Sequence, residues 1–179
     1  MTDYVILVDK NDRKLGQMEK IEAHQKALRH RAISVLVFNR QGQLMLQQRA
    51  LSKYHCPGLW SNTCCTHPRP EETVEAAAHR RLQEEMGFDC SLKELFSFNY
   101  QVKLDHGLTE KEYDHVFIGH FDGQPKLNQE EAANYRWIDL DQLQEELIET
   151  PQIYTYWFRE IAKTLFSQNS YIGLTLALF

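Results

Sequence analysis

Residues Cys64–Phe88 read CCTHPRPEETVEAAAHRRLQEEMGF, and the fold turns on how this stretch is taken. Val74, Ala78, Leu82 and Met86 recur at every fourth position as one apolar face, and Gly87 stands where a helix would stop, so the spacing predicts a helix over 74–86. Arg81 and Glu85 then lie one turn apart on a shared face. Ahead of the helix, Cys65-Thr66-His67 sets a nucleophile-grade thiol beside an imidazole suited to a metal, and the helix closes on Arg80, Arg81, Glu84 and Glu85. Taken alone, Arg and Glu alternating at helical spacing describe a solvated, salt-bridged face more simply than a site.

The spacing of Glu72, Arg80, Leu82, Glu84, Glu85, Gly87 and Phe88 resembles the Nudix box, the diphosphate-handling helix of a large hydrolase family. Two positions depart from it. Thr66 stands where the box opens with Gly, and Arg81 stands where a hydrolase has the acid that follows its Arg. Nudix hydrolases gather carboxylates on this helix to hold magnesium ions that activate water, and a cation among them should cripple that cluster. The resemblance, with its departure, implies a box that holds a diphosphate intact.

Outward from the box, Tyr4–Val8 reads as a short strand, followed by a polar turn at Asn11–Lys14 and a second extended piece running to Lys20. Ala32–Phe38 and Gln43–Gln48 form a hairpin across the turn residues Asn39–Gly42, and Arg49 leaves its end. Ala50–Pro70, rich in proline and without periodicity, is expected to be a functional loop packed on the sheet. Leu95–Lys103 and Tyr113–His120 read as strands around a turn at Asp105–Gly107, and Tyr135–Ile138 as another. Asp141–Glu149 and Tyr156–Leu165 read as amphipathic helices, the second with Trp157, Ile161 and Leu165 on one face. Strands and helices mix without regular βαβ alternation, so the expected class is α+β, and the Nudix resemblance places a mixed sheet between helices. The apolar end Tyr171–Phe179 reads as a final strand, a frayed end or a contact surface.

At 179 residues and 42% hydrophobic, the chain suits one well-buried domain, 1–179. No run approaches the roughly 18 apolar residues of a membrane span, and MTDYVILVDK has acids where a secretion signal is basic, so a cytoplasmic protein without a membrane partner is expected. Cys56, Cys64, Cys65 and Cys90 lack C-x-x-C spacing and read as free thiols in a reducing compartment. The net charge is -5, yet residues 21–70 hold seven Lys and Arg against the single acid Glu22, a local balance of +6. Such an excess fits a compact anionic small molecule, and on charge alone it fits an ordinary solvated face as well. No stripe of aromatics interleaves the cations, which argues against a nucleic-acid partner. A monomer or weak homodimer is expected.

Glu110 and Glu112 stand two apart in the extended run EKEYDHVFI, so both carboxylates point to one face. With Asp114 they make either a solvent-facing polar row or a set that needs a cation to relieve its repulsion. His24, His30 and His67 could add imidazoles, although the six-residue step from His24 to His30 cannot share a helical face and demands a bend. Three imidazoles with two carboxylates would favour zinc, manganese or iron, whereas magnesium prefers oxygen alone and would ride on Glu85 and diphosphate oxygens.

HRAISVLVFN (His30–Asn39), QQRALSK (Gln47–Lys53), PGLWSNTCCTHP (Pro57–Pro68), the Arg81-bearing box, the EKE run and the late Trp157-Phe158 together resemble the type I isopentenyl-diphosphate delta-isomerases, over roughly residues 15 to 165. The resemblance implies an isomerase of isoprenoid biosynthesis that interconverts isopentenyl and dimethylallyl diphosphate. It implies Cys65 and Glu112 as the catalytic pair, with Tyr100 an active-site tyrosine and Trp157 the aromatic wall. His24, His30, His67, Glu110 and Glu112 match the ligands of a manganese or zinc site, with magnesium a further option there. Glu85 matches a magnesium carboxylate, and Lys20, Arg49, Lys53 and Arg81 match the cations that hold the diphosphate. Departures are Thr66 in place of Gly or Ser, a His24–His30 step one residue shorter than in some members, and Tyr156 in place of a Pro.

The implied chemistry suits these residues. Moving the double bond adds a proton to C4 of an unactivated alkene and removes one from C2, through a tertiary carbocation at C3. That requires a fixed acid beside a dry pocket, since water would capture the cation. An indole face offers the cation about 2 kcal/mol, roughly thirtyfold in rate. Arginines grip phosphate oxygens bidentately while lysines act as point charges. Adjacent cysteines in an extended stretch point oppositely, so Cys64 is expected to be structural. A hydrolase of nucleoside or other diphosphates and a non-catalytic metal- or phosphate-binding module are the competing readings.

Overall fold

Strand β3, His30–Phe38, is buried along all but Arg31, as an apolar, β-branched run with neighbours on both edges and both faces should be. The computed structural model describes residues 3–104 and 107–167. Its remaining strands are β1 Tyr4–Val8, β2 Lys14–Glu19, β4 Leu44–Arg49, β5 Trp60–Ser61, β6 Cys64–Thr66, β7 Leu92–Lys103, β8 Thr109–His120 and β9 Ala132–Ile138. The helices are α1 Lys20–Gln25, α2 Val74–Met86, α3 Leu140–Glu149 and α4 Tyr156–Ser167. One edge of β3 pairs in parallel with β8, from His30↔Glu112 to Phe38↔His120. Its other edge meets β1 at His30, antiparallel β6 from Ile33 to Val35, and the hairpin partner β4 at Phe38.

Alternation along β3 sorts the core into two layers. Ile33, Val35 and Val37 pack with Met45, Cys64 and Phe117 under Ala77, Ala78, Leu82 and Met86 of α2. Leu36 and Phe38 pack with Leu46, Val116 and Ile118 under Leu143 of α3 and Trp157, Phe158, Ile161 and Leu165 of α4. Each such large side chain removed from water is worth about 1.5–3 kcal/mol, so burial of one face, more than local propensity, holds α4 in place. The mixed sheet therefore lies between helices, the α+β sandwich expected from the sequence.

Helix α2 occupies the expected span. Thr73 Oγ1 accepts from the Ala76 N–H at its start, and Gly87, at φ 72°, ends it by donating to the Gln83 carbonyl. A Cβ at Gly87 would also lie 2.3 Å from the Lys126 carbonyl oxygen, so this position excludes a side chain twice over. Arg80 grips Glu72 through two bonds of 2.7 and 2.8 Å, tying the preceding loop onto the helix.

Several expectations need correction. The segment Ala50–Pro70 is not wholly a loop: β5 and β6 lie within it, set by pairing with β4 and β3 and not by any alternation of their own. The extended piece to Lys20 stops at Glu19, whose carboxylate caps α1 by accepting from the Ile21 and Glu22 N–H groups. Strands β7, β8 and β9 start three to four residues earlier than their apolar alternation suggested, because ladder pairing continues through polar side chains. Tyr171–Phe179 and most of the turn Asp105–Gly107 lie outside the described residues. Among the described residues, no helix is long and apolar enough to cross a membrane.

Candidate active site

Strand register builds the first part of the site. Glu112 of β8 stands beside His30 of β3 on one side and opposite Tyr100 of β7 on the other, so three strands lay His30, Glu112 and Tyr100 in a row. Glu110, two residues back, joins the same face, and Asp114 continues it. All three carboxylates are buried, which overturns the solvent-facing alternative.

His24 arrives from α1. The chain turns back sharply after that helix, with Ala27 in the left-handed region at φ 51°, and this is the bend that the six-residue step required. His67 follows β6. Ligand atoms of His24, His30, His67, Glu110 and Glu112 all lie within 4.8 Å of one another, and the imidazole centroids of His24 and His30 are 4.6 Å apart.

Backbone carbonyls fix two of the tautomers. A carbonyl only accepts, so His24 Nδ1–H donates to Lys20 O at 2.5 Å and His30 Nδ1–H donates to Leu28 O at 2.9 Å. Their Nε2 atoms are thereby turned toward the carboxylates, with His24 Nε2 3.1 Å from Glu110 and His30 Nε2 3.5 Å from Glu112. His30 Nε2 is buried and makes no hydrogen bond. Burial, reinforced by His30, pushes His67 well below the usual histidine range and keeps it neutral, the form a metal binds. Imidazole nitrogens and carboxylates aimed at one centre fit a divalent cation.

The proton-carrying groups stand next to this centre. Tyr100 donates its hydroxyl to Glu112, and His67 lies 2.8 Å from the same carboxylate. Burial works against the Glu112 charge, but the neighbouring His30 and Glu110 side chains and the Tyr100 hydroxyl outweigh it and hold this group below the ordinary glutamate range. Asp114 is driven the other way, well up, by burial and by the Glu112 charge, and accepts from Ser34 Oγ at 2.9 Å. Cys65 and Cys64 point to opposite faces of β6: Cys64 sinks under α2, while Cys65 faces the α4 side. Burial pushes the Cys65 thiol up to about 12, against the pull of Arg49, so it carries its proton at neutral pH.

Cations line the same cavity, which encloses about 90 Å³ and is walled by Lys20, Arg49, Lys53 and Arg81 together with Cys65, Glu112 and Trp157. Arg81 bonds Glu84 at 3.0 Å, Glu131 at 3.0 Å, and Glu85 one turn along the helix. Gln47 donates to Glu85 at 2.7 Å, and burial raises Glu85 despite Arg81 and Gln47. The Arg49 guanidinium lies 5.3 Å from the Trp157 ring, so this cation and the indole adjoin.

Every residue expected at the site is brought to this cavity or its metal cluster. Sequence reasoning missed others. Glu131 bridges Lys53 and Arg81, and no local pattern signals it because its partners lie 78 and 50 residues away. His55 packs edge-on to Trp157 at 5.8 Å and stands 3.9 Å from Glu110, inside a loop with no periodicity to flag it. Ser61 fixes the indole: Trp157 Nε1–H donates to Ser61 Oγ at 2.9 Å, and Ser61 donates to Asn62 Oδ1. Since that uses its only proton, the 2.9 Å contact with Thr155 must have Thr155 as donor.

Comparison with known proteins places this geometry. A NUDIX domain model matches residues 28–159. The isopentenyl-diphosphate Delta-isomerase 2 of Photorhabdus laumondii is 50% identical over 169 residues, 94% of this chain and 96% of that protein. The isopentenyl-diphosphate Delta-isomerase 2 of Aromatoleum aromaticum is 50% identical over 173 residues, 97% of this chain and 92% of that protein. The protein named isopentenyl-diphosphate Delta-isomerase in Photobacterium profundum is 42% identical over 174 residues, 94% of this chain and 97% of that one. The crystal structure of DR0079 from Deinococcus radiodurans superposes with a TM-score of 0.76 at 22% identity, covering 90% of this chain and 98% of that chain, and speaks to the fold alone. A MutT protein from Methanosarcina mazei Go1 does likewise, with a TM-score of 0.65 at 20% identity over 79% of this chain and 95% of that one. Near-full-length identity of this order, on a Nudix domain, decides the matter: the chain belongs to the isopentenyl-diphosphate Delta-isomerase family.

Proposed function

We propose that the chain interconverts isopentenyl and dimethylallyl diphosphate by protonating C4 and deprotonating C2, with Cys65 and Glu112 as the proton-transfer pair. The observation that carries this reading is one cavity whose walls hold a protonated thiol, a hydrogen-bonded carboxylate and four cations. Lys20, Arg49, Lys53 and Arg81 bind the diphosphate and so fix the five-carbon chain between Cys65 and Glu112, the positioning on which intramolecular rates depend. Arg81 ties up Glu84 and Glu85 in ion pairs, which opposes a hydrolytic metal cluster on α2 and leaves the phosphoanhydride whole.

Glu112 is anchored by Tyr100 and His67 and holds or releases a proton on one face of the alkene, and Tyr100 offers its hydroxyl proton to the same carboxylate. Cys65 does the same on the other face. The walls exclude water from the C3 carbocation while Trp157 presents its ring to it, worth about 2 kcal/mol, or roughly thirtyfold. His24, His30, His67, Glu110 and Glu112 would hold a zinc or manganese ion and Glu85 a magnesium ion shared with the diphosphate; when bound, these supply fixed positive charge that acidifies neighbouring protons and offsets phosphate charge. The substrate is a small molecule.

The test is incubation with isopentenyl diphosphate and divalent metal, followed by ¹H and ³¹P NMR. Dimethylallyl diphosphate without free phosphate is the expected result; phosphate release, or metal binding with no turnover, contradicts it. Ser61→Ala should leave the indole N–H unpaired at a cost of about 1–3 kcal/mol, lowering kcat by roughly tenfold with little change in KM. Ser61→Thr restores a hydroxyl and most of the rate. Equal kcat in the Ala and Thr variants would show that the indole needs no such anchor.

A further inference from the structure

Glu131 sits among the cations assigned to the diphosphate. Its Oε2 takes Arg81 Nη2 at 3.0 Å and also Lys53 Nζ, so one carboxylate oxygen joins a helix residue to a loop residue in the wall of the site. The backbone beneath it is fixed independently: the Glu131 N–H donates to Asn128 O at 2.9 Å, and its carbonyl accepts from the Ala50 N–H at 3.0 Å. Side-chain movement therefore requires no change of fold. Arg81 keeps Glu84 and Glu85 when Glu131 leaves. The carboxylate is held ionised, against burial, by Lys53 and Arg81.

We infer that Glu131 is a built-in competitor for the diphosphate seat, occupying Lys53 and Arg81 until the ligand displaces it and returning to them as the ligand leaves. The inference rests on reading Lys53 and Arg81 as diphosphate cations and deepens it by giving the site a release device. Substrate and product carry the same diphosphate, so a resident carboxylate weakens both alike. It leaves the isomerisation equilibrium untouched and shortens the residence of each. An enzyme whose product is as well held as its substrate gains from that, since tight uniform binding slows departure without helping the chemical step. Breaking two charge-assisted bonds to seat the ligand is an energetic cost that an uncharged side chain would remove.

The experiment is calorimetric titration of inorganic pyrophosphate with magnesium into wild type, Glu131→Gln, Glu130→Gln and Arg81→Ala, with steady-state kinetics on each. Glu131→Gln is expected to bind pyrophosphate about tenfold tighter and to show a KM lower by a similar factor, without a rise in kcat. Glu130→Gln, an exposed neighbour, should change neither. Unchanged or weaker binding in Glu131→Gln overturns the inference, as does a raised magnesium requirement with lost kcat, which would make Glu131 a metal ligand. Equal tightening in Glu130→Gln overturns it too, since general charge would then suffice. Should the Gln variant fail to fold, Glu131→Asp carries the test: drawn a methylene away from the cations, it should also tighten pyrophosphate, by a smaller factor, and unchanged binding there counts against the inference. If Arg81→Ala leaves pyrophosphate binding intact, the diphosphate reading itself fails; if it weakens binding while the Glu131 variants do not tighten it, only the competitor role falls.

Discussion

Cys65→Ala should lower kcat by roughly a thousandfold, in the range that a single proton-transfer group contributes, while Cys64→Ala retains most of the turnover. The two residues are neighbours on β6 and share chemistry, so the contrast isolates orientation. Cys65 faces the cavity with its proton held on by burial. Cys64 fills space under α2 beside Ala78 and Leu82, and its truncation should cost about 1 kcal/mol of stability instead. Steady-state assays with labelled isopentenyl diphosphate, paired with thermal melts, separate the two effects. Comparable rate losses in both variants would break the assignment.

Glu112→Gln should be still more damaging, with a loss of roughly ten-thousandfold or more, because one substitution strikes three functions. It removes an acceptor for the Tyr100 hydroxyl, a partner of His67 and His30, and one of the five converging ligand groups. An amide keeps the shape and one acceptor oxygen, but it loses the negative charge, cannot take up or release a proton, and sets an N–H₂ where the second metal-grade oxygen stood. Metal content, measured by atomic emission on the purified variant, should fall together with activity. Treating wild type with a chelator should abolish turnover, with manganese or zinc restoring it and magnesium alone restoring less. A variant that loses metal but keeps its rate would detach the histidine cluster from the chemistry.

Much of this was legible in the sequence for physical reasons. The α2 face repeats at helical spacing, and its stop at Gly87 is dictated by a left-handed φ and by the Lys126 carbonyl. Glu110 and Glu112 share a face because strand side chains alternate, and the same rule separates Cys64 from Cys65. What stayed hidden depends on partners remote in the chain. Strands β5 and β6 exist only because β4 and β3 offer free edges, so no alternation of their own announces them. Likewise Glu131 becomes a site residue only when Lys53 and Arg81 close around it, and Ser61 matters only once α4 brings the Trp157 indole within 2.9 Å.

Isomerisation by this route exchanges protons between the substrate and groups in equilibrium with solvent while the diphosphate stays intact. Turnover of isopentenyl diphosphate in D₂O, followed by mass spectrometry and ²H NMR, is predicted to place solvent deuterium in the methyl group formed from C4, with both phosphates retained. A dimethylallyl product free of solvent deuterium at that carbon, or release of phosphate in place of any isomer, would contradict the claim that Cys65 and Glu112 move the double bond by adding and removing protons.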